Sequence, residues 1–241
     1  MLIREELCTG CRRCIPYCPV GAILVEEPRR VYIDQDLCAE CGTCLRMAGC
    51  PTDALFEPSE VYEKPRSVRK FFSDAMATHK ETLLPGRGTE EVKTNDVTAR
   101  VKRGQIGIAI EMGRPVLGAK MTDVEKVIMR LAELGIRLEG NNPLSHLLAD
   151  PEKGTLQDWV KNERVISAIV EFAAPAERLE ELLGAIRELA AEVDTVFSLD
   201  LITRFDDDGS IPVLPVLDRM GIHYRPNSKI NLGLGRPLRE E

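Results

Sequence analysis

All eight cysteines of this 241-residue chain fall between positions 8 and 50, and no other feature restricts the fold as sharply. A chain kept under reducing conditions rarely stores eight cysteines as disulfides, so crowding them into one fifth of the length points to bound metal. They form two copies of one pattern. The first reads Cys8-x-x-Cys11-x-x-Cys14, then Cys18-Pro19, in "CTGCRRCIPYCPVGAI". The second reads Cys38-x-x-Cys41-x-x-Cys44, then Cys50-Pro51, in "CAECGTCLRMAGCPTDAL". The tails agree as well, "CPVGAI" against "CPTDAL". Each copy spans about thirty residues and reads as a strand, a cysteine loop and a short helix.

Disulfides, tetrahedral zinc and an iron–sulfur cubane are the chemistries open to such a set. Zinc sites use Cys-x-x-Cys knuckles, but two such pairs are normally separated by a longer spacer. A third cysteine two residues further on suits a cubane, where one tight loop wraps three iron corners, and the Cys-Pro belongs at a helix start. On these residues the segment from 1 to about 60 resembles bacterial-type ferredoxins holding two [4Fe-4S] clusters. The resemblance implies crossed ligation, with Cys8, Cys11, Cys14 and Cys50 on one cluster and Cys38, Cys41, Cys44 and Cys18 on the other. The chain departs from the pattern in the loop "LRMAG", which places five residues rather than three between Cys44 and Cys50. Gly10 and Gly42 supply small residues where backbone passes close to sulfur. Ile15, Val20, Ile23, Leu45 and Leu55 can exclude water, one of the levers that set a cluster's potential. The resemblance further implies a low potential and single-electron transfer.

Hydrophobic residues make up 44% and charged residues 29% of the chain, as in a soluble globular protein. The net charge of −7 argues against a nucleic-acid partner. The charge is uneven: −4 over residues 1–62, +5 over 64–104 and −7 over 105–241, so a basic segment separates two acidic bodies. The opening "MLIREEL" has no secretory h-region and no apolar run approaches a membrane span, so a cytoplasmic protein without a membrane partner is expected.

Four segments are expected: a module over 1–62, a helix and basic linker over 63–104, an α/β sandwich over 105–208 and a tail over 209–241. In "PRSVRKFFSDAMATHK", residues 65–80, the apolar spacing predicts a helix with Pro65 in its first turn, and a strand is expected near Val97–Val101. "QIGIAIEM" alternates Ile106, Ile108, Ile110 and Met112 on one face of a strand. "MTDVEKVIMRLAELG" predicts a helix opened by the capping box Thr122…Glu125, with a short strand at Ile136–Glu139. "RVISAIVEF" reads as a strand, "PAERLEELLGAIRELAAEV" as a helix and "TVFSLDLITRF" as a further strand. The fold class expected is therefore α+β, a dicluster module followed by a βαββαβ sandwich with an antiparallel sheet. The sandwich resembles the small regulatory domains of the ACT type.

Other motifs are weak. "DDDG" at 206–209 opens like a calcium loop, but Leu217 stands where the glutamate is required, so a turn is expected. "GLGRPL" lacks the strand–helix unit of a dinucleotide site. His79, His146 and His223 are isolated. In "EMGRPVLGAK", Gly113 and Gly118 would let backbone approach a ligand and Arg114 could meet an anion, which resemblance to ACT-type domains links to a small-molecule effector; an ordinary glycine loop is the plainer reading. No acid–base constellation suggests an independent enzyme. The function expected is electron transfer through two [4Fe-4S] clusters, with a flavin or metal oxidoreductase as partner in an anaerobic setting, as a monomer or an oligomer. A redox-linked metabolite sensor and an iron–sulfur subunit of a sulfur-transfer enzyme are the alternatives.

Overall fold

The computed structural model describes residues 1–26, 29–80, 82–83, 100–113 and 118–225. The N-terminal module is built from two interlocked halves. It comprises strands β1 (Leu2–Ile3), β2 (Ile23–Glu26), β3 (Arg30–Ile33) and β4 (Leu55–Phe56) and helix α1 (Thr43–Met47). β1 pairs antiparallel with β4, setting Ile3 opposite Leu55, and β2 pairs with β3, setting Ile23 opposite Ile33. The repeats are thereby exchanged. Arg4 N–H donates to Ala54 O at 2.8 Å, and its counterpart Asp34 N–H donates to Ala22 O at 2.8 Å. Each half therefore closes on the tail of the other, over a small core of Ala22, Ile23, Val31, Ile33, Ala48 and Leu55.

Helix α2 (Ser67–Ser73) follows, shorter than the expected 65–80. Asp74 ends it with extended backbone, and Pro65 lies two residues before its first turn rather than within it. Its apolar and basic residues face different neighbours. Val68 and Phe72 are buried in the core of the C-terminal body, whereas Arg66, Arg69 and Lys70 reach the N-terminal module.

The C-terminal body centres on β5 (Gln105–Met112). After it come β6 (Ala119–Lys120), α3 (Met121–Glu133), β7 (Leu148–Asp150), β8 (Thr155–Leu156), α4 (Asp158–Lys161) and β9 (Arg164–Val165). The chain ends through β10 (Ala168–Pro175), α5 (Leu179–Leu189), β11 (Phe197–Ile202) and α6 (Leu214–Arg219). β10 and β11 flank β5, both antiparallel to it, with Phe172 and Leu201 opposite Ile108. Ile106, Ile108, Ile110 and Met112 are at most 2% exposed. They meet Val124, Val127, Ile128 and Leu131 of α3 and Leu182, Leu183 and Ile186 of α5 in one core. The period-2 strand and period-3.6 helices place these side chains on facing surfaces. Val213 and Leu217 join that core, so the segment after 208 is not a bare tail.

Three expectations are corrected. Residues 136–139 form no strand, so among the described residues the main sheet has three strands instead of the four of a βαββαβ sandwich. The edge of β10 is instead served by Glu139 N–H, which donates to Glu171 O at 2.8 Å, and by Asn142 Nδ2, which donates to Ile169 O at 3.0 Å. A side-chain amide there substitutes for a ladder. The capping box is not formed either: α3 starts at Met121, whose N–H donates to Glu163 O at 2.9 Å. Glu125 is drawn away to Leu156 N–H (2.8 Å) and Lys161 (3.2 Å). Finally, "RVISAIVEF" divides into β9 and β10, which belong to different sheets. The expected strand at Val97–Val101 and the "GLGRPL" segment lie largely or wholly outside the described residues.

Candidate metal centre

The eight cysteines, none of them in a disulfide, line two separate hollows. One, of about 360 Å³ counting its open side, is walled by Cys8, Cys11, Cys14 and Cys50 with Ile3, Val31 and Leu55. The other, about 290 Å³, is walled by Cys18, Cys38, Cys41 and Cys44 with Val20, Ile23 and Ile33. Among the described residues no three His, Cys, Asp or Glu side chains converge tightly enough to grip a single ion. Soft thiols around an apolar hollow fit a multi-iron cluster better than mononuclear zinc.

Backbone conformation repeats between the halves. Gly10 (φ 68°) and its counterpart Glu40 (56°) are left-handed, as are Arg12 (63°) and its counterpart Gly42 (67°). At each pair only one half uses glycine, so the other bears a left-handed side chain, at a cost of about 1–2 kcal/mol. Gly10 also needs its bare Cα, because an added Cβ would lie 2.5 Å from Arg29 O. The Cys-Pro tails match too. Ala22 N–H donates to Cys18 Sγ at 3.1 Å and Ala54 N–H to Cys50 Sγ at 3.3 Å, through left-handed Gly21 and Asp53. N–H donors aimed at sulfur favour thiolate and stabilise added negative charge.

The two sets differ in exposure. Cys38, Cys41 and Cys44 are buried, whereas Cys11 is exposed. Burial, reinforced by Cys41, Cys38 and Cys18, pushes the Cys44 thiol up to about 12. Burial raises Cys14 as well, and Cys38, where Glu40 adds to it. Burial also presses Cys50 upward, but N–H groups of Thr52, Ala54 and Leu55 hold it below the ordinary thiol value. Metal must therefore displace protons on binding, and it removes the repulsion between crowded thiolates.

Cations gather on the second set. Arg46 donates to Cys41 O at 2.7 Å and clasps Asp74. Arg66 holds buried Glu40 at 2.8 Å, and Arg69 donates to Cys38 O at 2.9 Å. Sequence reasoning missed Glu40, Arg46, Arg66 and Arg69. Only the basic excess after residue 64 hinted at the last two.

The weaker candidates are dispersed. His79 is buried between Phe71 and Phe72, at 5.8 and 4.9 Å between centroids, while His146 and His223 are exposed. Residues 206–210 close a turn through Asp206 and Gly209, as expected. Gly113 and Gly118 are left-handed, but added Cβ atoms would lie 2.6 Å from Ile166 O and 2.8 Å from Val165 O. Their freedom thus serves a crossing of the chain's own backbone; Arg114 lies outside the described residues. Among the described residues no helix is long and apolar enough to cross a membrane.

Comparison with known proteins bears on the cysteine module first. A family model described as a 4Fe-4S binding domain matches residues 1–24. The chain is 38% identical over 73 residues to a 7Fe ferredoxin of Hydrogenibacillus schlegelii, covering 28% of this chain and 90% of that one. It is 44% identical over 51 residues to one subunit of an ion-translocating oxidoreductase complex from Methanosarcina acetivorans, covering 21% and 18%. A longer match reaches past the cysteines: 27% identity over 190 residues to a subunit of the F(420)H(2) dehydrogenase of Methanosarcina mazei, covering 74% of this chain but 49% of that protein. The chain thus spans half or less of the length of these two oxidoreductase subunits. No solved structure matches.

Proposed function

Because the chain belongs, through its N-terminal module, to the 4Fe-4S ferredoxins, we propose that it is an electron-transfer subunit or partner of an oxidoreductase. In this reading Cys8, Cys11, Cys14 and Cys50 hold one cubane, and Cys38, Cys41, Cys44 and Cys18 hold the other. The observation that carries it is the sorting of eight sulfurs into two hollows, each walled by three cysteines of one repeat and the Cys-Pro cysteine of the other. When bound, the clusters supply one-electron redox chemistry. The chain's own residues then do three things. Thiolates anchor the iron, the N–H groups of Ala22 and Ala54 favour negative charge on Cys18 and Cys50, and Ile3, Val31, Ile23 and Ile33 exclude water. Exposed Cys11 marks the face through which a partner's redox group comes nearest.

The C-terminal body supports a docking role. Similarity to a dehydrogenase subunit that covers 74% of this chain is too long to be confined to the cysteine module and takes in part of this body, so the pair of units would be presented together to a larger dehydrogenase. Anaerobic purification tests the reading. About eight irons and eight acid-labile sulfides per chain are expected, with a visible chromophore bleached by a low-potential reductant. Stoichiometric zinc without charge-transfer absorption would refute it.

A further inference from the structure

The guanidinium of Arg69 lies between the two units and is about 6% exposed. On one side its Nη1 donates to three carbonyls of the loop that delivers the second cysteine set: Gln35 O at 2.9 Å, Asp36 O at 3.0 Å and Cys38 O at 2.9 Å. On the other side its Nε donates to Glu163 Oε2 at 2.5 Å. Glu163 is also buried and belongs to the C-terminal body, immediately before β9. Beside it α2 is fixed to the C-terminal body, since Ile166 N–H donates to Ser73 Oγ at 2.9 Å. Arg66 adds a donor to Gln35 O at 2.6 Å. The first set has a different setting: Cys11 is exposed and Cys8 and Cys14 are half-buried.

We propose that Arg69 is a positioning residue for the loop of Cys38, Cys41 and Cys44, and that Glu163 sets how much of its charge the second cluster feels. This rests on the ligand reading above. A cation fixed against the Cys38 carbonyl favours the more anionic, reduced state of a nearby cluster, and the carboxylate opposite offsets that bias. The C-terminal body thereby sets one potential of the module without supplying a ligand. Any partner that draws Glu163 away from Arg69 would raise that potential, and by linkage reduction would strengthen such a partner's binding.

The test is a low-temperature EPR redox titration of the intact, anaerobically loaded protein and three variants. Glu163→Gln keeps the shape and an acceptor for Arg69 but removes the offsetting charge. One of the two midpoints should rise by roughly the equivalent of a tenfold change in the reduced-to-oxidised ratio, about 59 mV for one electron, while the other stays. Arg69→Gln leaves Glu163 uncompensated, and the same midpoint should fall. Opposite directions from two partners of one contact are not what general loosening produces. Glu181→Gln changes the net charge equally, at an exposed pair with Arg178, and should move neither midpoint. If Arg69→Gln does not fold, Glu163→Gln decides alone. Unmoved midpoints, or equal shifts at both clusters, would overturn the assignment. Iron content on the same samples separates the two readings: fewer than about eight irons in the parent protein defeats the ligand reading, whereas a full complement with unmoved midpoints defeats only the role of Arg69.

Discussion

Replacing Asp74 with alanine should loosen the module from the helix that carries it. Asp74 is 2% exposed and accepts from Arg46 Nη1 (3.0 Å), Arg46 Nη2 (2.9 Å), Lys70 Nζ (2.6 Å) and Met76 N–H (2.9 Å). Removing one partner of a buried charge cluster costs about 3–5 kcal/mol, because the remaining charge stays desolvated. Two facts lower that figure here. Arg46 is 40% exposed and can turn to water, and Lys70 keeps Glu57. About 2–3 kcal/mol is therefore expected, which for a chain of this size corresponds to a fall in Tm of roughly 4–12 °C. Thermal unfolding of the loaded protein, followed by circular dichroism and visible absorbance, measures it. The chromophore should also bleach faster, since Arg46 loses the anchor that aims it at Cys41 O. A shift below about 1 °C would show that the network contributes nothing, refuting the reasoning.

The pH dependence has a definite sign. Burial pushes the Asp74 carboxyl up, but hydrogen bonds from Arg46, Lys70 and Met76 hold it below its ordinary 3.8. A depressed carboxyl contributes stability that is present above the ordinary value and is lost as pH falls through the folded one. The advantage over Asp74→Asn should thus be full at neutral pH and vanish in acid below 3.8. Cys18→Ala should remove the cluster of Cys38, Cys41 and Cys44 while the other persists; site-resolved spectra with the opposite loss would contradict crossed ligation. Gly154→Ala should cost about 2 kcal/mol, measured by denaturant titration, since φ is +73° and its Cβ would lie 2.7 Å from Ile128 O. Gly184→Ala, in α5 with open space around it, should instead stabilise by about 0.5–1 kcal/mol. A fragment over 63–225 should unfold cooperatively without iron, and one over 105–208 should not, because it lacks Val68, Phe72, Val213 and Leu217 of the core.

The parts of this molecule that sequence exposes are those governed by local spacing. The cysteine pattern assigns its own chemistry, and Ile106 to Met112 alternate because the strand is pleated. α3 and α5 follow from leucine and valine periodicity. What stayed hidden depends on distant partners. Thr122 and Glu125 have the spacing of a cap, yet Leu156 and Lys161 claim the glutamate. Residues 136–139 have strand composition, but Asn142 takes the edge they would have filled. Glu40 and Arg12 are poor candidates for left-handed backbone, and only comparison with glycine at the matching place in the other repeat could have flagged them. Arg69 reads as one more cation in a basic run until the fold brings Glu163, 94 residues away, against it.

The exchange between the halves has a consequence for biogenesis. Arg4 closes on Ala54 and Asp34 on Ala22, so the first half, as it leaves the ribosome, lacks the strand against which it must close. Its closure spans fifty residues, and the hairpin that joins Ala22 to Asp34 forms inside that span. Connectivity therefore favours the inner hairpin first and the outer closure last: the set of Cys18, Cys38, Cys41 and Cys44 is complete once residue 44 has emerged, whereas the set of Cys8, Cys11 and Cys14 must wait for Cys50. A truncated chain ending between the repeats would present its first four thiols with no lid, making the duplicated unit indivisible although its two copies read as equals.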